Sequence, residues 1–212
     1  MNENLTEIVV ILDRSGSMAG LAKDTIGGFN SFLEKQKLLK GEAKLTLILF
    51  DDSYEVCDNA VDIKLVSPLN DSAYFARGMT ALNDAVGKTI NTIGERLKNT
   101  KESERPGKVI FLITTDGQEN SSKEFKASQI KEMVKRQQET YNWEFVFLGA
   151  NIDSFAEGDK MGYSLNSTAN YEPSVKGMEA LYSALSRSVT DTRNGVTEKM
   201  SMGDYMKEEE KN

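Results

Sequence analysis

The sequence predicts an α/β domain built on a doubly wound, mostly parallel sheet. Four short apolar runs are rich in β-branched and aromatic residues and nearly continuous, which is typical of strands buried on both faces. The runs are Ile8–Leu12, Leu45–Phe50, Val109–Ile113 and Phe145–Leu148. Helical patterns lie between the runs, and this alternation of strands and helices favours right-handed crossover connections.

A weaker fifth run, Tyr54–Ile63, alternates apolar and polar residues and follows Phe50 after only Asp51-Asp52-Ser53. This pattern predicts an edge strand that pairs antiparallel with its predecessor through a short turn. Apolar residues also recur at helical spacing in four segments, which predicts helices that bury one face in the core. These segments are Lys23–Lys40, Leu82–Leu97, Ile130–Val134 and Val175–Val189.

Length and composition favour a single domain. A chain of 212 residues with 39% hydrophobic residues is long enough to bury a full core, and no repeat or low-complexity linker divides it. From about Thr192 the sequence becomes polar and charged. We therefore predict a domain over residues 1–191 and a polar, flexible C-terminal tail over residues 192–212.

The composition excludes several classes of function. The formal charge is −7, from 26 Lys and Arg against 33 Asp and Glu, and without a basic cluster no nucleic-acid partner is expected. The absence of histidine removes Ser-His-Asp catalysis, Cys-His catalysis and imidazole metal sites. The single cysteine, Cys57, excludes a cysteine zinc cluster and is expected to be a buried or strand-borne residue rather than a nucleophile.

The sequence also predicts a location. Residues 1–4 lack the basic region of a signal peptide, and no long apolar region follows them. No apolar stretch approaches the ~20 residues needed to span a bilayer. We therefore expect a cytoplasmic protein with no membrane contact.

Oxygen-bearing side chains follow two of the predicted strands and precede one predicted helix. They are Asp13, Ser15 and Ser17 after the first strand, Asp116 after the strand Val109–Ile113, and Thr80 before the second helix. Ligands of open α/β sheets bind at the carboxyl ends of the strands, so we expect these side chains to converge there. Two carboxylates and three hydroxyls suit a hard cation, with Mg²⁺ as the first choice and Mn²⁺ as the alternative.

These residues resemble the metal-ion-dependent adhesion site of von Willebrand factor A-type domains. The resemblance is carried by Asp13-Arg-Ser15-Gly-Ser17, Gly78-Met-Thr80 and Thr-Asp116-Gly117, in the family's order, and covers roughly residues 7–189. A single Asp-x-Ser-x-Ser element is frequent by chance, whereas three elements in register are specific. The small stand-alone bacterial and phage members are the most similar type.

The resemblance implies a Rossmann-like three-layer sandwich with a six-stranded, mostly parallel sheet. The first and fourth strands would be adjacent at its middle, and one edge strand would be antiparallel. Ser15 and Ser17 would be direct metal ligands, with Asp13, Thr80 and Asp116 coordinating directly or through water. One coordination position would be left for a Glu or Asp carboxylate of a partner protein. The implied function is a non-enzymatic, Mg²⁺-dependent protein-binding module without catalytic residues.

Six further residues are expected at the rim of this site. They are Gly16, Gly78, Met79, Gly117, Glu119 and Asn151. Gly16 and Gly78 would permit tight backbone geometry beside the ligands. A solvated loop is the open alternative for Glu119 and its neighbour Asn120, and residues 149–153 are expected to shape partner specificity.

Other interpretations of the same segments remain to be weighed. Each oxygen-rich element, taken alone, fits a helix cap or a turn equally well. Gly87-Lys88-Thr89 resembles the end of a P-loop, but Leu82 stands where that motif needs glycine. The alternative function is a metal-dependent phosphohydrolase that uses Asp13 at the same cleft, although Ser15 replaces the second acid of that pattern.

Overall fold

A central sheet of six strands organises the chain. The computed structural model describes residues 1–150, 154–172, 174–197 and 200–209. The strands are β1 (Asn2–Asp13), β2 (Glu42–Phe50), β3 (Tyr54–Asp62), β4 (Pro106–Thr115), β5 (Glu144–Ala150) and β6 (Thr168–Tyr171). The helices are α1 (Ala22–Lys37), α2 (Leu82–Asn99), α3 (Ala127–Tyr141), α4 (Ser154–Lys160), α5 (Val175–Arg193) and α6 (Met202–Glu209).

The strand order is β3-β2-β1-β4-β5-β6, with β1 and β4 side by side at the centre. Four of the five pairings are parallel, and β3 alone pairs antiparallel, with β2. The chain winds outward from β1 in one direction and from β4 in the other, so the switch point lies between these two strands. The predicted doubly wound, Rossmann-like α/β fold with one antiparallel edge strand is confirmed.

The first strand shows why its apolar run is continuous. Alternate side chains of β1 point to opposite faces of the sheet. Ile8, Val10 and Leu12 are buried in the core that includes α1 and α5, whereas Val9 and Ile11 are buried in the core that includes α2 and α3. Burial of each such side chain contributes roughly 1.5–3 kcal/mol. Helices therefore cover both faces, and the carboxyl edge of the sheet is the part left to loops.

The C-terminal segment contains a helix where a polar tail is expected. Within residues 192–212, α6 lies against α5, and Met202 at its start is fully buried in the core shared with α1 and α5. Arg187 of α5 forms an ion pair with Glu209 at 3.0 Å. This part of the segment is therefore held on the domain, and the domain boundary at residue 191 stays a prediction.

Within the described ranges, no helix combines the length and the apolar character required to cross a bilayer. The longest described helix, α5, has 19 residues and carries polar side chains throughout.

Candidate metal centre

Three loops meet at the carboxyl edge of the two central strands. β1 ends at Asp13 and β4 ends at Thr115, and because the strands pair in parallel, the loops that follow them leave the sheet side by side. The third loop, residues 76–81, joins them through a hydrogen bond that the backbone N–H of Gly16 donates to the carbonyl of Gly78 at 3.1 Å. Together these loops carry all five predicted metal ligands.

The side-chain oxygens of Ser15, Ser17 and Asp116 form a chain of short contacts, and Gly117 lies between Ser17 and the fourth predicted ligand, Thr80. Ser17 Oγ donates to Asp116 Oδ1 at 2.6 Å, and Ser15 Oγ lies 3.1 Å from Ser17 Oγ. A Cβ atom at position 117 would lie 3.1 Å from Thr80 Oγ1 and 3.2 Å from Ser17 Oγ. Gly117 therefore leaves a small space between these two hydroxyls, which any other residue would fill.

Asp13, the fifth predicted ligand, lies beneath this group and is fully buried. Its Oδ1 accepts a hydrogen bond from the backbone N–H of Ser15 at 2.7 Å, and its Oδ2 accepts one from Thr115 Oγ1 at 2.5 Å. Burial raises the pKa of Asp13 to about 6 against the opposing effect of these hydrogen bonds, and the nearby charge of Asp116 adds to the rise. Burial also raises the pKa of Asp116. A bound cation would stabilise both carboxylates in their charged form.

Two oxygen–oxygen separations are compatible with adjacent ligands of a small hexacoordinate cation. Adjacent ligands of an octahedral ion with bonds of about 2.1 Å are about 3.0 Å apart. The separations between Ser17 Oγ and Asp116 Oδ1, 2.6 Å, and between Ser15 Oγ and Ser17 Oγ, 3.1 Å, lie on either side of that value. Across the described residues, no three side chains of the His, Cys, Asp and Glu types cluster as metal ligands, so the donor set here depends on hydroxyls.

Gly78, one of the predicted rim glycines, has a clear structural requirement. Gly78 adopts a positive φ of 66°, and a Cβ there would lie 2.6 Å from Asp52 Oδ1. This conformation and this close approach exclude other residues without strain. Gly16 is exposed and meets Gly78 through the backbone, as described above. Met79, directly before Thr80, is exposed beside the site.

The predicted rim residue Glu119 contacts backbone amides. Its Oε2 accepts a hydrogen bond from the N–H of Asn83 at the start of α2, at 2.8 Å, and its Oε1 accepts bonds from Ser121 and Ser122. It therefore satisfies a free amide at the helix N-terminus. The next residue, Asn120, accepts a hydrogen bond from the N–H of Thr80 at 2.9 Å and donates its own N–H to the carbonyl of Thr80. The sixth rim residue, Asn151, lies outside the described residues.

Three residues of the site were not anticipated from the sequence. Thr115 bonds Asp13, the hydroxyl of Tyr74 donates to the backbone carbonyl of Asp13, and Asp51 pairs with two arginines of the metal loops. Thr115 directly precedes the predicted ligand Asp116, and this adjacency could have identified it as a residue of the site. Asp51 was assigned only to a turn, and Tyr74 lies in a segment without periodicity, so neither carried a usable signal.

The sheet order defines the chain as a doubly wound α/β domain with an oxygen-rich carboxyl edge. No family model and no curated relative matches the chain. Among solved structures, the von Willebrand factor domain of the type V pilus tip protein Mfa5 from Porphyromonas gingivalis matches with a TM-score of 0.65 at 10% identity. That match covers 91% of this chain and 96% of that chain.

Two longer proteins match over part of their length. A von Willebrand factor type A structure from Catenulispora acidiphila has a TM-score of 0.61 at 14% identity, over 89% of this chain and 43% of that one. Proximal thread matrix protein 1 of the mussel byssus, solved with a zinc-occupied adhesion-site motif, has a TM-score of 0.57 at 16% identity, over 90% and 47%. This chain thus spans less than half of either protein. The chain described here has the von Willebrand factor A-type fold.

Proposed function

We propose that this chain is a metal-dependent protein-binding module that holds Mg²⁺ between its three loops and binds a carboxylate of a protein partner. The observation that carries the proposal is the meeting of three loops, which places the oxygens of Ser15, Ser17 and Asp116 in contact and brings Thr80 to the other side of Gly117. The mussel protein with its zinc-occupied motif supports the choice of a divalent metal. The hydroxyl-rich, nitrogen-free donor set favours Mg²⁺, with Mn²⁺ as the alternative.

A partner carboxylate follows from the charge of the donor set. Asp13 and Asp116 together balance the two charges of the cation, and the hydroxyl ligands are neutral, so the ion retains affinity for another anion. When bound, the metal would supply a coordination position for that anion. The chain's own residues orient the hydroxyls and hold Asp13 in place, and Met79, directly before Thr80, is exposed beside them.

The local chemistry disfavours the alternative function, a phosphohydrolase. Both carboxylate oxygens of Asp13 accept hydrogen bonds within the protein, and the side chain is fully buried, which is a poor position for a nucleophile. Cys57 is exposed on the edge strand β3. Partial burial of its thiol, together with the charge of Glu55, raises the pKa of Cys57 to about 11, so it is protonated at neutral pH. We therefore propose a binding protein rather than an enzyme.

The stand-alone bacterial or phage type and the cytoplasmic location stay predictions from the sequence. The expectation that the protein has no nucleic-acid partner is also still a prediction.

Metal binding is tested directly by calorimetry. Protein stripped with EDTA and dialysed should bind one Mg²⁺ per chain, with Mn²⁺ competing for the same site, and should gain thermal stability on addition of either ion. Turnover of a generic phosphate ester in the presence of Mg²⁺ should be undetectable. Failure to bind Mg²⁺ or Mn²⁺ would refute the proposal, and metal-dependent turnover would favour the hydrolase.

The carboxylate is tested with a displayed library of random peptides, selected in Mg²⁺. Selected peptides should contain an Asp or Glu whose replacement by Asn or Gln removes binding, and they should be released by EDTA. The matched control repeats the selection with the Asp116→Ala protein. Peptides that bind equally well after amide replacement, or equally well in EDTA, would show that the metal does not bridge to the partner.

A further inference from the structure

The carboxylate of Asp51, which is not a predicted metal ligand, connects two of the three loops that carry the predicted ligands. It follows β2 directly and its side chain is fully buried, although it stands in a short surface turn. Its Oδ1 accepts the N–H of Ser53 at 2.6 Å. Its Oδ2 accepts Nε of Arg14 at 3.0 Å and Nε of Arg77 at 2.7 Å. A turn needs only the first of these bonds, so the two guanidinium groups call for another explanation.

The two arginines belong to different metal loops. Arg14 stands between Asp13 and Ser15, and Arg77 stands three positions before Thr80. A backbone hydrogen bond also connects these two loops, since the N–H of Arg77 donates to the carbonyl of Arg14 at 2.8 Å. Asp51 thus links the loop of the serine ligands to the loop of the threonine ligand.

The backbone of Asp51 also supports the end of the threonine loop. Its carbonyl accepts the N–H of Ala81 at 2.9 Å, directly after Thr80. The segment from Arg77 to Ala81 is therefore attached to Asp51 at both of its ends, through a side chain at one end and the backbone at the other. Loops held in this way keep their ligands close to the geometry that a metal requires.

The charges of this group are balanced. Arg14 is almost completely buried and reaches Glu55 at 2.7 Å as well as Asp51. Burial would raise the pKa of Asp51, but the hydrogen bonds from Arg77 and Ser53 and the charges of both arginines hold it below its usual value. Asp51 therefore stays ionised, and the two guanidinium charges close to the candidate metal centre are neutralised rather than repelling a cation.

We propose that Asp51 is a positioning residue for the metal: through Arg14 and Arg77 it holds the serine loop and the threonine loop in register, and this sets the affinity for Mg²⁺. The inference rests on the proposed metal site and adds a residue that no ligand motif contains. Residues that orient metal ligands without touching the ion typically change metal affinity by about 10–100-fold when removed.

Arg77→Ala is the primary test because the Arg77 side chain is 46% exposed, so its removal leaves Asp51 still paired with buried Arg14. The affinity for Mg²⁺, measured by calorimetry on the full chain, should fall by about 10-fold or more. The matched control is Arg187→Ala, whose side chain is 45% exposed and pairs with two carboxylates of α6. That variant should bind Mg²⁺ within about twofold of the wild type, because neither α5 nor α6 carries a predicted ligand.

A double-mutant cycle separates positioning from general stability. If Asp51 and Arg77 act through Thr80, Arg77→Ala should cost much less affinity in the Thr80→Ala background than in the wild type. Asp51→Asn should lower Mg²⁺ affinity in the same direction, measured at a temperature where circular dichroism shows it to be folded.

The outcomes distinguish the two proposals. Wild-type protein that binds no Mg²⁺ overturns both of them. Wild-type protein that binds Mg²⁺ while Arg77→Ala binds equally well overturns the positioning role alone. The positioning role also fails if Arg187→Ala loses as much affinity as Arg77→Ala, or if the two losses at Arg77 and Thr80 are simply additive.

Discussion

The two ends of the central sheet are built in different ways. At the carboxyl end, polar side chains of three loops are joined by hydrogen bonds and ion pairs, with Asp13 and Asp51 fully buried. At the amino end, a groove of about 680 Å³ lies between α2 and α3, and Trp143 lies on its wall. Behind it, Phe111 stacks on Trp143 at 5.3 Å and on Phe145 at 4.8 Å between ring centroids.

This difference separates two properties of the molecule. Aromatic burial at the amino end contributes to the free energy of unfolding, since apolar area removed from water is the main stabilising term. At the carboxyl end, hydrogen bonds and ion pairs between polar side chains of the loops fix the positions of oxygens. Substitutions at one end should therefore change stability, and substitutions at the other should change metal binding.

The largest effect is expected from Phe111→Ala. This side chain is fully buried between two aromatic rings, so truncation should lower the free energy of unfolding by about 3–5 kcal/mol. Urea denaturation measures the loss, and the folded fraction should still bind Mg²⁺ normally. The control is Tyr141→Ala at the same end, since Tyr141 is exposed and its loss should cost no more than about 0.5 kcal/mol. Equal losses for the two variants would contradict this account of the amino end.

Asp116→Ala should have the next largest effect, at the other end. It removes one of two carboxylates, so Mg²⁺ affinity should fall by at least about 100-fold, beyond the typical loss for an indirect residue. Circular dichroism and urea denaturation should show a folded protein, because Asp116 makes its side-chain contact with Ser17 and supports no core. Asp71→Ala, on an exposed turn, is the matched control and should bind as the wild type does. Normal Mg²⁺ binding by Asp116→Ala would exclude this residue from the site.

The two ends also differ in how far the sequence predicts them. The run Ile8–Leu12 identifies a doubly covered strand because burial on both faces requires continuous apolar character. The four apolar runs lie within strands, and the fifth, Tyr54–Ile63, does so except for its last residue. β6, with four residues, is too short to show a period, and the six-stranded sheet was expected only from the family resemblance. α6 was not predicted because it is short and mostly polar, and only its packing against α5 shows that Met202 is buried.

At the carboxyl end the sequence identifies the oxygen donors but not what holds them. Asp13, Ser15 and Ser17 stand in a recognisable spacing, and three loops in order define a pattern. The bond between Thr115 and Asp13 joins residues 102 positions apart, and the pairs of Asp51 join three separate segments. Local pattern carries no information on such contacts, since they arise only when the sheet brings the loops together.

Ser15→Ala should have a moderate effect at the carboxyl end. It removes one neutral donor and leaves the backbone N–H that holds Asp13, so Mg²⁺ affinity should fall by about 10-fold. Calorimetry at several protein concentrations measures the affinity for Mg²⁺. Ser183→Ala, which removes a hydroxyl bonded to Glu209 far from the loops, is the control and should leave the affinity unchanged. A loss as large as that of Asp116→Ala would mean that Ser15 also determines how the loop folds.

The smallest effect is expected from Arg105→Ala at the amino end. This variant is also the sharpest test of whether stability and metal binding depend on different ends of the sheet. The guanidinium of Arg105 donates to the carbonyl oxygens of Thr100 and Lys98 at 2.9 and 3.1 Å, and so fastens the end of α2 to the start of β4. Its loss should lower the free energy of unfolding by about 1 kcal/mol, the usual net value of such bonds. Mg²⁺ affinity should stay within about twofold, because Arg105 precedes β4 at the end of the strand opposite Asp116 and shares no contact with the predicted ligands. If calorimetry instead finds an affinity loss as large as that of Ser15→Ala, the two ends are energetically coupled through β4, and the division of stability from metal binding is wrong.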